Sequence, residues 1–83
     1  MRLTKEEVNR LFQDVELHFS HYYKYTFYFE GNKGNIRIKT GWGGNANDIY
    51  RCKLAADSKT TFHRVEDWDW VDITEGDETI FIY

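Results

Sequence analysis

The chain has 83 residues and a formal net charge of −3 at pH 7, which is the size of one small domain and leaves room for one modest hydrophobic core. Aromatic residues make up 18% of the chain and charged residues 30%. This composition excludes a disordered tail or a low-complexity linker, because such segments are poor in aromatic residues. We therefore expect residues 1–83 to form a single globular domain.

The first predicted element is a helix over residues about 4–20. Thr4 and Glu7 have the spacing of a capping box, in which the two residues satisfy each other's backbone N–H groups at a helix N-terminus. The apolar residues that follow recur at helical spacing, namely Val8, Leu11, Phe12, Val15 and Phe19. This pattern predicts a helix that buries one apolar stripe against the rest of the domain.

After the helix the apolar residues alternate with a period of two, which is typical of half-buried strands. Strands are predicted at about 22–30, 35–41, 48–55, 60–65, 68–73 and 79–83. The residues Gly31–Gly34 indicate a turn, and pairing about Asn32 and Lys33 sets Tyr28 opposite Arg37. One helix covers one face of such a sheet, so the predicted fold class is α+β: an N-terminal helix packed on one face of an antiparallel meander of five to six strands.

Acidic residues are concentrated at the C-terminal end. Residues 65–83 hold seven acidic side chains and no basic one, namely Glu66, Asp67, Asp69, Asp72, Glu75, Asp77 and Glu78. Carboxylates at this density speed the encounter with a basic partner, and tryptophans are favoured anchors at interfaces. The sequence predicts an acidic, aromatic patch for a protein partner with a basic surface, with Trp42, Trp68 and Trp70 as its aromatic members. The alternative interpretation places Trp68 and Trp70 in the core.

The preceding part of the chain is basic. Residues 22–64 hold eight basic and three acidic residues. If a second hairpin turns about Asn45, Lys39 lies opposite Arg51 and Arg37 opposite Lys53, and like charges in such positions destabilise a sheet. Either the acidic C-terminal segment or an external anionic surface would neutralise them. On the second interpretation, these four cations follow a nucleic-acid backbone while Tyr28 stacks on bases, although the net charge of −3 disfavours nucleic acid as a partner.

The sequence contains no recognisable arrangement of catalytic or metal-ligating residues. His18 and His21 are three residues apart, but there is no HExxH motif and no second cysteine. Cys52 alternates with apolar residues, which favours a buried thiol, and a lone cysteine excludes an intrachain disulfide. We therefore expect no enzymatic activity, no metal and no cofactor.

The two ends of the chain bear on location and assembly. The N-terminal residues form no apolar signal segment and no apolar run reaches the length of a membrane span, which predicts a cytoplasmic protein without membrane association. The C-terminal residues 79–83 are apolar and resemble an unguarded edge strand. A homodimer through this strand is therefore a second expectation.

Together these features favour a small non-enzymatic protein-binding module. We expect an inhibitor of the immunity-protein or phage anti-defence type, which covers a basic surface of a partner such as a nuclease with its acidic, aromatic patch. This assignment is an analogy at the level of protein class. The alternatives are a homo-oligomeric structural protein and, second, nucleic-acid binding through the basic face of the sheet.

Overall fold

The computed structural model describes residues 2–43 and 64–83. Their elements are α1 (Lys5–Asp14), β1 (His18–Tyr23), β2 (Thr26–Lys33), β3 (Ile36–Gly43), a short 3₁₀ helix (Val65–Asp67), β4 (Trp70–Glu75) and β5 (Glu78–Ile82). The strands form one antiparallel sheet in the order β1-β2-β3-β4-β5. The predicted fold class is confirmed: one N-terminal helix packs on an antiparallel meander.

Helix α1 begins as the sequence predicts. The Thr4 hydroxyl accepts a hydrogen bond from the Glu7 N–H at 3.2 Å, and the Glu7 carboxylate accepts one from the Thr4 N–H at 3.0 Å. The helix ends at Asp14, because Val15 is already extended. The predicted continuation to about residue 20 is wrong: His18–Tyr23 is a strand, as its aromatic side chains favour.

The capping box makes the stability of α1 depend on pH. The hydrogen bond that the Glu7 carboxylate accepts from the Thr4 backbone N–H and, second, the nearby Thr4 side chain hold the pKa of Glu7 below its ordinary value of 4.5. A carboxyl with a lowered pKa in the folded state stabilises the fold above its ordinary pKa, and this contribution is lost as the pH falls through the folded value. We expect Glu7→Gln to lower the melting temperature at about pH 7, and this difference from the parent chain to disappear at a lower pH, below the folded pKa of Glu7, where both side chains are neutral. A stability difference that persists at the lower pH would contradict this explanation.

The core lies between α1 and one face of the sheet. Val8 and Phe12 are the fully buried residues of the helix. They share one cluster with the inward-facing residues of the sheet and the 3₁₀ helix, namely Val15, Phe27, Phe29, Ile38, Val65, Trp68, Val71, Ile73, Ile80 and Phe81. Within β2 and β3 the predicted alternation is confirmed, since Phe27, Phe29 and Ile38 are buried. It is wrong for Tyr23, which pairs with Thr26 and so lies on the opposite face from Phe27.

The turns explain where the predicted strands differ from the observed ones. Lys24 and Tyr25 both have positive φ, 49° and 64°, which is the requirement of the type I′ turn that joins twisted strands. This turn divides the predicted strand at 22–30 into β1 and β2. The next turn is at Gly34, with φ 59°, two residues later than predicted. Consequently Tyr28 lies opposite Gly41, and Arg37 lies opposite Asn32.

The predicted row of opposed cations does not form at β3. Lys39 pairs with Glu30 of β2 on one side and with Asp72 of β4 on the other. Both positions beside Lys39 are therefore taken by acidic residues, so the predicted pairing with Arg51 is wrong. Arg51 itself, Lys53, Cys52 and the predicted strand at 48–55 lie outside the described residues.

The C-terminal strands follow the prediction with small shifts. The strand predicted at 68–73 is Trp70–Glu75, and the strand predicted at 79–83 is Glu78–Ile82. Of the strand predicted at 60–65, the described end is not a strand, because Val65 begins the 3₁₀ helix. Among the described residues, no helix is long and apolar enough to cross a membrane.

Candidate interaction surface

The face of the sheet turned away from α1 is not covered by any described element. We call it the open face. The strand pairing places on it every second residue of the sheet, including His18, His21, Tyr28, Glu30, Arg37, Lys39, Gly41, Trp70 and Asp72. Because an antiparallel sheet needs only one buried face to fold, the side chains of the open face are free to serve binding.

An aromatic row crosses the open face from β1 to β4. The rings of His21 and Tyr28 are stacked, with centroids 4.4 Å apart and planes 4° apart. The rings of Tyr28 and Trp70 are 5.8 Å apart and tilted by 58°. Gly41 lies between them in the register, and a Cβ at this position would overlap the Trp70 indole. Glycine at 41 therefore allows Trp70 to lie across β3 and join the row.

A second row on the open face carries balanced charges. His18, Glu30, Lys39 and Asp72 are successive neighbours across β1, β2, β3 and β4. The His18 Nε2 atom is 3.9 Å from Glu30 Oε1. The Asp72 Oδ1 atom is buried and accepts no hydrogen bond within the described part of the chain. Arg37 adds one further cation beside this row, so the described open face holds two lysine or arginine cations and two carboxylates.

Two shallow depressions lie side by side on this face. The first has a volume of about 250 Å³ and is lined by Ser20, His21, Tyr28, Phe29, Glu30, Lys39 and Trp70. The second has a volume of about 170 Å³ and is lined by His18, Glu30, Gly31, Asn32, Arg37, Ile38 and Lys39. Glu30 and Lys39 form the shared boundary. Both volumes lie below the roughly 300 Å³ at which small-molecule pockets begin, so each is suited to one side chain of a partner.

The structure does not gather the seven predicted acidic residues into one patch. Four of them pair with cations of the same chain: Glu66 with Lys5 at 2.5 Å, Asp67 with Arg64 at 3.3 Å, and both Glu75 and Glu78 with Arg2, at 3.0 and 2.8 Å. The Lys5 ammonium lowers the pKa of Glu66, and the Glu78 carboxylate raises the pKa of Arg2. These carboxylates already have partners within the fold.

The other three acidic residues lie in three different places. The Asp69 carboxylate accepts a hydrogen bond from the Gly43 N–H at 2.6 Å, at the end of β3. Asp72 belongs to the open face, and Asp77 is exposed in the turn between β4 and β5. Lysine in place of Asp67 or Asp69 would remove the hydrogen bonds that these carboxylates accept from Arg64 and Gly43. A charge reversal at Asp77 therefore tests whether the acidic segment binds a partner without this loss.

The three predicted aromatic contacts also separate. Trp68 is 4% exposed and its ring lies 5.1 Å from that of Phe29. Trp42 is half-buried and packs against the core from β3. Trp70 alone lies on the open face. The structure therefore excludes Trp68 from an exposed site, and the core interpretation applies to Trp68 but not to Trp70.

Of the predicted nucleic-acid face, the structure brings Tyr28, Arg37 and Lys39 together on the open face. Arg51 and Lys53 lie outside the described residues. His21 and Glu30 also belong to this face and were not predicted from the sequence as site residues. His21 directly follows the helix predicted over residues about 4–20, and only the dense aromatic run at residues 19–29 indicated a further strand.

Comparison with protein-family models, with curated proteins and with solved structures finds no match for this chain. The class is therefore defined by the fold and the site alone: a small α+β domain that presents an aromatic, mixed-charge sheet face.

Proposed function

We propose that the chain is a small non-enzymatic protein-binding module and that it binds its partner with the open face. The observation that carries the proposal is the aromatic row of His21, Tyr28 and Trp70 on a sheet face that no described element covers. Tyrosine and tryptophan bury large, rigid surfaces at low entropic cost, and they dominate binding energy at protein interfaces.

The charges and depressions beside the row support a protein partner. Lys39 between Glu30 and Asp72 offers donors and acceptors in alternation, which suits the mixed polar groups at the rim of a protein surface. Each depression has room for one inserted side chain. The open face is therefore the place for a few anchoring contacts, surrounded by polar contacts that set the orientation.

The sequence-based expectation of an acidic patch receives less support. Glu66, Glu75 and Glu78 are paired within the chain, so a partner's cations would compete with Arg2 and Lys5 for them. We place the contact on the open face for this reason. Inhibition of a nuclease and a phage or immunity-protein origin stay predictions from the sequence, as does a cytoplasmic location.

Nucleic acid is the second candidate, because Tyr28, Arg37 and Lys39 share the open face. Bases stack on exposed aromatic rings, and cations follow the phosphates. Glu30 and Asp72 stand on either side of Lys39, however, and a phosphate backbone approaching this row meets as many carboxylates as cations. The described face therefore lacks the excess positive charge on which non-specific nucleic-acid affinity depends.

Affinity capture from nuclease-treated cell lysate tests the proposal. The parent chain is expected to retain a discrete protein. Tyr28→Ala is expected to weaken binding of that protein about 30-fold, the equivalent of the roughly 2 kcal/mol that an interface anchor contributes. Lys39→Glu reverses an exposed charge between Glu30 and Asp72. It is therefore expected to lower the melting temperature somewhat and, when measured well below that temperature, to weaken binding.

Asp77→Lys is the matched control, since it reverses an exposed charge away from the open face. It should bind as the parent chain does. Loss of binding in Asp77→Lys with normal binding in Lys39→Glu would move the contact to the acidic segment. Retention that disappears after nuclease treatment would favour the nucleic-acid alternative, and a parent chain that retains no protein would contradict the proposal.

A further inference from the structure

Strand β1 forms one edge of the sheet, and all six of its residues are exposed. No described strand pairs with its outer edge. Four aromatic side chains at β1 and its turn are among the most exposed apolar groups of the chain: Phe19 (44%), Tyr22 (45%), Tyr23 (57%) and Tyr25 (66%). An unpaired edge with this composition is a template for strand addition, because it presents free N–H and C=O groups beside apolar surface.

We propose that β1 is a self-association edge, at which two copies of the chain pair β1 antiparallel to β1 around a twofold axis. The occupant of the edge is thus a second copy of this chain, and the two sheets join into one of ten described strands. The proposal concerns assembly and stands independently of the partner that the open face binds.

A β-bulge makes the strand self-complementary. The register between β1 and β2 shifts between Phe19 and His21, so Ser20 is the extra residue. Phe19 pairs with Phe29 and Tyr22 pairs with Phe27, which places both on the side of the core. In a regular strand, residues three apart point to opposite faces, so the bulge is the reason that Phe19 and Tyr22 point to the same side.

The twofold pairing follows from this arrangement. An axis between Ser20 and His21 sets Phe19 of one copy opposite Tyr22 of the other, on the core side of the sheet. The same axis sets His18 opposite Tyr23, and both belong to the open face. Opposed residues in an antiparallel pair must share a face, and both pairs meet this condition. The apolar core of each copy then continues through Phe19 and Tyr22 into the other.

The exposed area is sufficient for a weak dimer. At about 200 Å² for each aromatic side chain, the four exposed fractions correspond to roughly 400 Å² of ring surface per copy. The backbone of six paired residues adds to this, against about 800 Å² per partner in a standard interface. The strand itself contains no aspartate, glutamate, lysine or arginine, so no like-charged side chains of these types oppose the pairing.

The opposite edge of the sheet is partly covered. The backbone N–H groups of Arg2 and Leu3 both donate to the Ile80 carbonyl of β5, at 2.9 and 3.0 Å. The N-terminal segment therefore takes up hydrogen-bonding capacity along the C-terminal strand, where the sequence alone predicts a homodimer. Exposed Ile82 and Tyr83 remain at that edge, and they provide a matched site for a control.

Sedimentation velocity on the purified chain, without any partner, tests the proposal. The parent chain is expected to shift from the mass of one copy to that of two as its concentration rises from low micromolar toward millimolar. Tyr22→Lys sets a lysine against Phe19 of the other copy and is expected to raise the dissociation constant at least about tenfold, the effect of losing 1.4 kcal/mol. Ile82→Lys places the same charge at the β5 edge and should dimerise as the parent does.

Amide hydrogen exchange identifies which edge of the sheet forms the contact between the two copies. Residues 18–23 should exchange more slowly at high than at low concentration, while residues 78–82 should not change. A chain that stays monomeric over the whole range overturns the proposal, and so does a dimer that Ile82→Lys breaks and Tyr22→Lys leaves intact. Binding at the open face is measured by capture and by Lys39→Glu, so failure of the dimer and failure of the proposed function are distinguishable.

Discussion

Replacement of Trp68 by alanine is expected to destabilise the fold by about 3–5 kcal/mol, the range found when a large buried aromatic residue is removed. Trp68 is 4% exposed, belongs to the core cluster and packs against the Phe29 ring at a 57° angle. Trp68 follows the 3₁₀ helix, and its backbone N–H donates a hydrogen bond to the Val65 carbonyl. A chain of 83 residues has a total stability of about 4–12 kcal/mol, so this one substitution removes a large share.

Urea unfolding followed by far-UV circular dichroism measures this loss. Trp70→Ala is the matched control, because Trp70 is only half-buried on the open face, and we expect it to cost about 1–2 kcal/mol. The two variants therefore separate stability from binding: Trp68→Ala mainly lowers the stability of the fold, whereas Trp70→Ala mainly weakens capture of the partner. Equal stability losses in the two variants would contradict the assignment of Trp68 to the core and Trp70 to the surface.

The contrast between these tryptophans shows what the sequence can and cannot predict about the site. Trp68 and Trp70 are two residues apart, and regular alternation places them on the same face. The structure separates them because β4 begins only at Trp70, while Trp68 closes the 3₁₀ helix. A shift of two residues in the start of β4 thus decides which ring is available to a partner. The ends of strands are the least reliable part of a prediction from sequence.

The same limit applies to the first strand. The helical spacing of Val15 and Phe19 extends the predicted helix through residues that are in fact β1. The turn at Lys24 and Tyr25 carries no glycine, asparagine or proline signal, although both residues adopt positive φ. Because this turn could not be recognised from the sequence, β1 could not be distinguished from β2 as a separate strand. The exposed edge that β1 forms could therefore not be predicted either.

The sequence predicted that acidic residues near the C-terminus could neutralise cations of the same chain, but it did not predict which residues pair. From the sequence, the acidic C-terminal segment was one of two candidates to neutralise the cations of the sheet, and Asp72 does lie beside Lys39. The contribution of Arg2 and Lys5 was not anticipated. Their pairing with Glu75, Glu78 and Glu66 depends on how the N-terminal segment passes β5, which only the tertiary fold determines.

Gly31→Ala is expected to destabilise the fold by about 1–3 kcal/mol, the usual cost of an inserted group in a packed site. The sequence assigns Gly31 to a turn, but it lies inside β2 and faces the core side opposite Ile38. A Cβ there would lie 2.6 Å from the Glu16 carbonyl oxygen and 2.8 Å from Val15 Cγ1. The first of these is a backbone atom, so no change of rotamer relieves the contact.

Gly31→Ala must therefore displace the segment that joins α1 to β1. This displacement also moves the last turn of α1 away from the sheet. Gly43→Ala is the matched control, because among the described residues the atom nearest to a Cβ at this position is an Asp69 carboxylate oxygen at 3.2 Å. We expect its stability within about 0.5 kcal/mol of the parent. Urea midpoints of the two variants make the comparison. If Gly31→Ala proved as stable as Gly43→Ala, the close packing of Val15 and Glu16 against β2 would be contradicted.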